Sequence, residues 1–586
     1  MALQLSIIFL PFLMGISLFF PSFAWKKVLI ITYILVLMLL SILLFFITSQ
    51  HFSYSFSSSW HSLFILVDFG LLAYFFYVGM QKKQLLVVAL ALLQVLLFSF
   101  VLSLEKLFMG ADILLDRTIL FMYLLINIVG GTIIIFALKY IESETFSQRK
   151  KDAFIASLFL FLGVMNFIVS VNNIELFFLL FEATTLLSYL LIRYRGDTLS
   201  ITNALRALWM NQIGGVAILL GLICSLLVYK TLSFDILLAQ SGTFFMFALI
   251  FLALAAFVKA ASLPFEKWLL GAMVAPTPVS AILHSATMVK IAPFLMLKLS
   301  SAMDDFLSLV FVLLGTFVFF AASLLALSKD YFKEILGLST IALLALMMAL
   351  ASLGTPHAIE AVLFLMLFHA ISKALLFMQA GILEKTLALK YVQDIDGLIN
   401  YSPKLVFFIL LGFASLTLPP FGAFIGKFMA IESIAAMIKL QPLYAFALIF
   451  TALGSIFLTL LYFKVVTKLF ALDVDAKKEK VQLSKYYTIP SWFLVFLLFV
   501  GMVFALVLGA LSPLEIFLPL VILVLIPLSF FLFIFPKAQR VKEYHCGEKE
   551  DVELGMYSFD IKERYTYYFY ALVFLGFALA FLGVLL

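Results

Sequence analysis

Charge is the first thing this chain of 586 residues has little of: Asp, Glu, Lys and Arg together make up 12%. Soluble domains carry about a quarter of their residues as charges. With 65% hydrophobic residues and a mean hydropathy of +1.20, the shortage excludes a water-soluble fold. Cysteine is nearly absent as well. Cys224 and Cys546 are the only two, far apart, so there is no CxxC pair, no metal spacing and no disulfide framework. No glycine-rich loop follows a strand pattern, which removes the usual nucleotide signature. No nucleophile–base pair and no metal cage can be composed. The chain therefore offers no catalytic residue, no metal ligand set and no cofactor of its own. The net charge of +6 does not point to nucleic acid, because the lysines sit in short loops between apolar runs.

What is present is apolar length. Runs long enough to span lie near 3–20, 28–48, 63–80, 84–104, 118–140, 152–170, 173–193, 203–229, 243–263, 277–299, 303–327, 333–353, 357–383, 403–430, 441–470, 489–511, 514–535 and 567–586. At roughly 20 residues per span this is an all-α polytopic membrane protein of about 18 transmembrane helices. The first run lacks a basic leader and a small-residue cleavage site, and reads as a retained span. With the N-terminus outside, the inner loops hold Lys26-Lys27, Lys82-Lys83, Arg149 to Lys151, Arg193 with Arg195, Lys329 and Lys385 with Lys390. The opposite loops hold few basic residues. This alternation follows the positive-inside rule and predicts both termini outside.

Ionisable residues inside spans cost at least about 2.5–3.5 kcal/mol each and default to a functional reading. Glu182 lies mid-span in FEATTLLSYLL (181–191). Lys259 ends an apolar run that is broken by Pro264. His284 and Lys290 lie in the next segment and are expected on one helix, six residues apart and on different faces. His369 and Lys373, four apart, are expected to stack on one face as a relay step. Lys427 follows Pro419 and Pro420 in a second broken helix, oppositely oriented to the first by the loop count. Two interrupted helices in two inverted halves point to a transport site between repeats. Glu182 is the expected charge partner of Lys259. For Asp68, Glu432, Lys464 and Lys468 the expectation is interface snorkelling or a local pair. The chain divides into N-terminal helices 1–140, a first five-helix repeat 141–299, a second inverted repeat 300–470, and C-terminal helices with a cytoplasmic loop, 471–586.

At these residues the sequence resembles the large antiporter-like membrane subunits of respiratory complex I, energy-converting [NiFe] hydrogenases and multi-subunit sodium/proton antiporters. The text that carries the resemblance is KAASLPFEKWLLGAM (259–273), APTPVSAILHSATMVKIAPFL (275–295), FEATTLLSYLL, KEILGLSTI (333–341), HAISKALLF (369–377) and LPPFGAFIGKF (418–428). The resemblance implies proton translocation through Glu182, Lys259, His284, Lys290, Lys333, His369, Lys373 and Lys427. It implies two inverted five-helix bundles, each with a broken helix. It also implies partner membrane subunits and a peripheral redox arm that would carry Fe–S clusters and, in the hydrogenase branch, NiFe. The expected location is a prokaryotic inner membrane, with lipid as the surrounding partner. The alternatives are an ion-exchanging subunit of a sodium/proton antiporter and a membrane subunit of an inorganic-carbon uptake complex. Some departures stand out. Gln212 and Gly215 occupy positions where some members carry arginine and aspartate, and Leu365 stands in place of a further histidine. The spans 63–80 and 84–104 are extra.

Overall fold

The computed structural model of the chain describes residues 2–19, 26–47, 52–104, 110–419, 421–470, 481–507, 561 and 563–585. Among these residues, fifteen helices are long and apolar enough to cross a membrane, and two shorter apolar ones, Leu3–Ser17 and Thr243–Lys259, accompany them. The protein is an all-helical integral membrane protein. Each expected span meets one of these helices except 514–535, which lies outside the described residues.

In chain order the helices are α1 (Ala2–Ser17), α2 (Lys26–Ile47), α3 (Ser58–Gln81), α4 (Leu85–Ser103), α5 (Arg117–Leu124), α6 (Gly130–Glu142), α7 (Gln148–Ser170), α8 (Ile174–Ile192), α9 (Thr198–Tyr229), α10 (Phe234–Leu238), α11 (Thr243–Lys259), α12 (Glu266–Gly271), α13 (Thr277–His284) and α14 (Ile291–Leu299). They continue with α15 (Asp305–Leu327), α16 (Phe332–Leu353), α17 (Pro356–Thr386), α18 (Pro403–Thr417), α19 (Gly422–Met437), α20 (Tyr444–Leu469), α21 (Lys485–Val507) and α22 (Glu563–Leu585). Short polar residues cap several of them. Asn173, Asp197, Asp304 and Thr355 accept the first free amides of α8, α9, α15 and α17.

Burial separates core from perimeter. The α13–α14 segment and α16 are buried along their whole apolar windows, whereas α22 is 17% buried and α2 33%. The polar groups of the first two therefore face protein and not lipid. α17 packs against α13, α16, α18, α19 and α21, which makes it the axis of the second half. The extra hairpin α3–α4 is not peripheral to the core: α3 packs on α8 and α4 on α9.

One local device occurs twice. An extended residue just before α8, Asn173, bridges Ser233 in the α9–α10 connection, and Tyr331 just before α16 bridges Tyr391 after α17. The helices enclosed, α9 and α17, have 32 and 31 residues. A small antiparallel ribbon, β1 (Phe52–Tyr54) with β2 (Ile113–Leu115), pairs Phe52 with Leu115 and Tyr54 with Ile113. It ties the start of α3 to the start of α8, because Asn172 donates to the Asp112 carbonyl at 2.8 Å.

Among the described residues three membrane helices break off and restart, rather than the two expected; α5 runs into α6 without a break through a π-helical turn, Leu125–Val129. α11 stops at Lys259, where Ala261 adopts φ 53° and Pro264 has no amide to donate. The Val258 carbonyl there accepts both the Ala261 amide at 3.0 Å and Trp268 Nε1 at 2.9 Å. α18 and α19 are separated at 418–421, with Pro419 in the gap and Pro420 outside the described residues. The third interruption corrects the sequence expectation that His284 and Lys290 share a continuous helix. α13 ends on His284, residues 285–287 leave helical geometry, and a single tight turn, Met288–Lys290, leads into α14. At the break the Ser285 hydroxyl donates to the Ala281 carbonyl at 2.6 Å beside its own amide at 3.2 Å, and the Thr287 hydroxyl donates to the Ile282 carbonyl. Side-chain bonds of this kind bend helices.

Candidate functional site: a buried row of protonatable side chains

The row begins on α8. Glu182 is fully buried, and its Oε1 accepts from Gln94 Nε2 on α4 at 2.7 Å. Gln94 also donates to the Gln212 carbonyl at 3.2 Å. Space for this contact comes from Gly215: a Cβ there would stand 1.8 Å from Glu182 Oε1 and 2.4 Å from Gln94 Nε2.

Lys259 is also fully buried. Its ammonium donates to the Phe181 carbonyl at 3.2 Å, to Thr185 Oγ1 at 3.3 Å and to Asn211 Oδ1 at 3.3 Å, and it lies 3.7 Å from the centre of the Phe181 ring. Glu182 and Lys259 do not touch. The expected pair acts across a gap, each partner held by neutral groups. This arrangement keeps the two groups within each other's field without a direct ion pair.

The middle of the row lies at the interruption between α13 and α14. Lys290 Nζ lies 2.7 Å from His369 Nδ1, and both are fully buried. The expected contact of His369 with Lys373 on the same helix is replaced by this one. Lys373 turns to α16 instead and donates to Ser339 Oγ at 2.6 Å and the Leu336 carbonyl at 3.0 Å. His284 packs against Phe377, ring centres 4.6 Å apart and planes tilted by 40°, and has no side-chain partner on either ring nitrogen among the described residues. The charges that act on His369 are those of Lys290, Lys373 and His284.

Lys333, one turn before Leu336 on α16, forms an ion pair with Glu384 at the end of α17. Thr277 donates to the same carboxylate at 3.4 Å. Lys427 lies on α19, 4% exposed, and lines an open groove of about 300 Å³ with Thr417, Phe424 and Phe428. Of the remaining membrane charges, Lys464, Lys468 and Glu432 have local partners in Asp330, Asp396 and His357. Asp68 does not follow them: it is 2% exposed and its Oδ1 has no hydrogen-bond partner among the described residues.

Gln94, Asn211, Gln212 and Glu384 are contacts the sequence reading missed. Gln94 had a signal, since it is the lone amide in the apolar helix LLVVALALLQVLLFSFVLS.

The family described as "NADH:quinone oxidoreductase/Mrp antiporter, TM" matches residues 171–454, the stretch that contains every member of the row. The Na(+)/H(+) antiporter subunit A1 of Staphylococcus aureus strain MRSA252 is 32% identical over 350 residues, and that of strain Newman is 32% identical over 349. The chain belongs to the antiporter-like membrane-subunit superfamily. Each of these alignments covers 56% of this antiporter-like subunit and 43% of the relative, so the chain spans less than half the length of the curated relatives it matches. Among solved structures, the membrane-bound sulfane sulfur reductase, an archaeal respiratory membrane complex, has a chain that superposes with a TM-score of 0.67. That superposition covers 86% of this antiporter-like subunit and 93% of the other chain at 18% identity, which is a likeness of fold.

Proposed function

We propose that this subunit translocates protons within a multi-subunit membrane complex, through the row Glu182, Lys259, His284, Lys290, His369, Lys373 and Lys333, with Lys427 at the second broken helix. The contact of Lys290 with His369 carries the reading. Two basic groups at hydrogen-bond distance in a fully buried place hold one shared proton more readily than two charges, so the contact can pass a proton in either direction. Lysine and histidine recur along the row while carboxylates stand only at Glu182 and Glu384. That composition suits a proton better than a sodium ion, which needs several oxygen ligands.

The driver is a redox arm in partner subunits carrying Fe–S clusters, with NiFe in the hydrogenase case. This is the reading that the motif text of 259–295 favours. The names of the relatives at 32% identity favour a second reading, exchange of sodium for protons with other membrane subunits as the only partners. In both readings the membrane is a prokaryotic inner membrane with both termini outside.

The test is proton movement in vesicles containing the whole complex. Lys259→Ala and Glu182→Ala should each abolish it at unchanged subunit level, and wild-type rates in both would refute the row. Copurification with iron–sulfur subunits selects the redox driver; recovery with small membrane subunits alone selects exchange.

A further inference from the structure

The extra hairpin brings a second set of protonatable groups to the row. α3 and α8 start at the same end of the bundle, where Asp112 holds them together. Its carboxylate accepts from the Phe56 amide at 2.8 Å and from Asn173 Nδ2 at 2.8 Å, and it lies 3.2 Å from His61 Nε2. From that end both helices run inward, packed on each other. His61 and Asp68 are seven apart on α3, and Glu175 and Glu182 are seven apart on α8. Seven residues are two turns, so each pair shares a face with a rise of about 10 Å.

His61, Asp68, Asn173 and Glu175 line a cavity of about 10 Å³ between the two helices. That is about the least volume that admits one water molecule. Asp68 is buried, and its Oδ1 takes no hydrogen bond from any described residue. An unpaired buried carboxylate oxygen is costly, by about 1–3 kcal/mol or more, and calls for a partner the protein itself does not supply. The charges of Glu175 and Glu182 both reach Asp68. From the other side, α4 reaches the Glu182 carboxylate, not that of Asp68, through Gln94.

We infer that the α3–α4 hairpin builds a proton-exchange route between Glu182 and the His61–Asp112 end of the bundle, with Asp68 as the carrier between them. A proton passes from the His61 end through a water in the cavity to the Asp68 carboxylate, and from there toward Glu182. Each transfer breaks one O–H or N–H bond and makes another, and no electron moves. The inference rests on the reading of Glu182 as part of the ion path, and the controls separate the two.

The experiment uses the intact complex in membrane vesicles, energised by a sodium gradient or an electron donor, whichever the purified complex responds to. The amount of subunit is measured alongside. Asp68→Asn should lower the initial proton flux about a hundredfold, the low side of what a positioned proton-transfer group contributes. Asp68→Glu should restore most of it, and His61→Gln should lower it by a smaller factor. Glu182→Gln should remove it. Full flux in Glu182→Gln overturns the ion path itself. Loss in Glu182→Gln with wild-type flux in Asp68→Asn and His61→Gln overturns the hairpin route alone. If Asp68→Asn does not assemble, His61→Gln decides, and wild-type flux there overturns the route. A change in sodium saturation at unaltered proton flux makes Asp68 a sodium ligand and also overturns it.

Discussion

Gly215→Ala is the sharpest perturbation the structure offers. In the interior of an exposed helix this change adds about 0.5–1 kcal/mol of stability, because alanine loses less backbone freedom on folding. Here the new methyl would stand 1.8 Å from Glu182 Oε1 and 2.4 Å from Gln94 Nε2. Both obstructing atoms are the ends of flexible side chains, so the helix pair does not have to separate. What must give is the 2.7 Å hydrogen bond between them. A hydrogen bond to a charged group contributes about 1.5–3 kcal/mol. The helix gain offsets part of that in stability, so the complex should assemble at close to normal amounts. The displaced carboxylate no longer sits where Lys259 and its neighbours expect it. A loss of about 1.5–3 kcal/mol in its placement corresponds to about a tenfold to hundredfold fall in rate. The assay is proton flux per unit of assembled complex. Wild-type flux in Gly215→Ala would refute the argument that Gln94 positions Glu182, and loss of assembly would refute the claim that only side-chain tips are displaced.

Three further outcomes are expected. The Lys333–Glu384 pair is nearly dry, with side chains 4% and 18% exposed; Glu384→Ala alone should lower stability by about 3 kcal/mol, while Lys333→Met with Glu384→Met should recover most of it, as judged by thermal melting of the purified complex. A Cβ on Gly337 would stand 2.0 Å from Met273 Cε; Gly337→Ala should cost about 1–3 kcal/mol, and Met273→Ala in the same chain should relieve it. Outside the membrane, the Ser200 hydroxyl and amide hold the Asp197 carboxyl below the usual carboxylate range at the start of α9. A depressed folded-state value means its stabilisation is complete above the unfolded value and is lost as pH falls through the folded one. Asp197→Ala should therefore lower the melting temperature at neutral pH, and the difference from wild type should close in acid.

The fold class and the row were legible in the sequence for different reasons. Hydropathy fixes where helices lie, since a membrane span has to satisfy its own backbone. Rare charges in such spans stand out, which is why Glu182, Lys259, Lys290 and Lys373 could be named. Which charge meets which could not be read. His369 and Lys373 share a face at four-residue spacing, yet the approach of α14 and α16 decides that His369 turns to Lys290 and Lys373 to Ser339. The third interruption was hidden because no proline marks it. Gln94 and Asn211 were overlooked because an uncharged amide is a quiet feature until a neighbouring helix delivers it to a charge. For Asp68 the expectation is interface snorkelling or a local pair, and only the packing of α3 against α8 shows its Oδ1 left over among the described residues.

The Lys290–His369 contact sits in a stretch where no carboxylate touches any member, while Glu182 and Glu384 stand beyond it on either side. A positive charge is thus least stable in the middle and most stable at the two margins. The row is a hill between two valleys. In the proposed relay the proton shared by Lys290 and His369 sits higher in energy than one at either margin, so the driver acts by raising the valley that a proton occupies. Insulation against idle leakage would then need no moving door, because the energy profile of the empty row already supplies it.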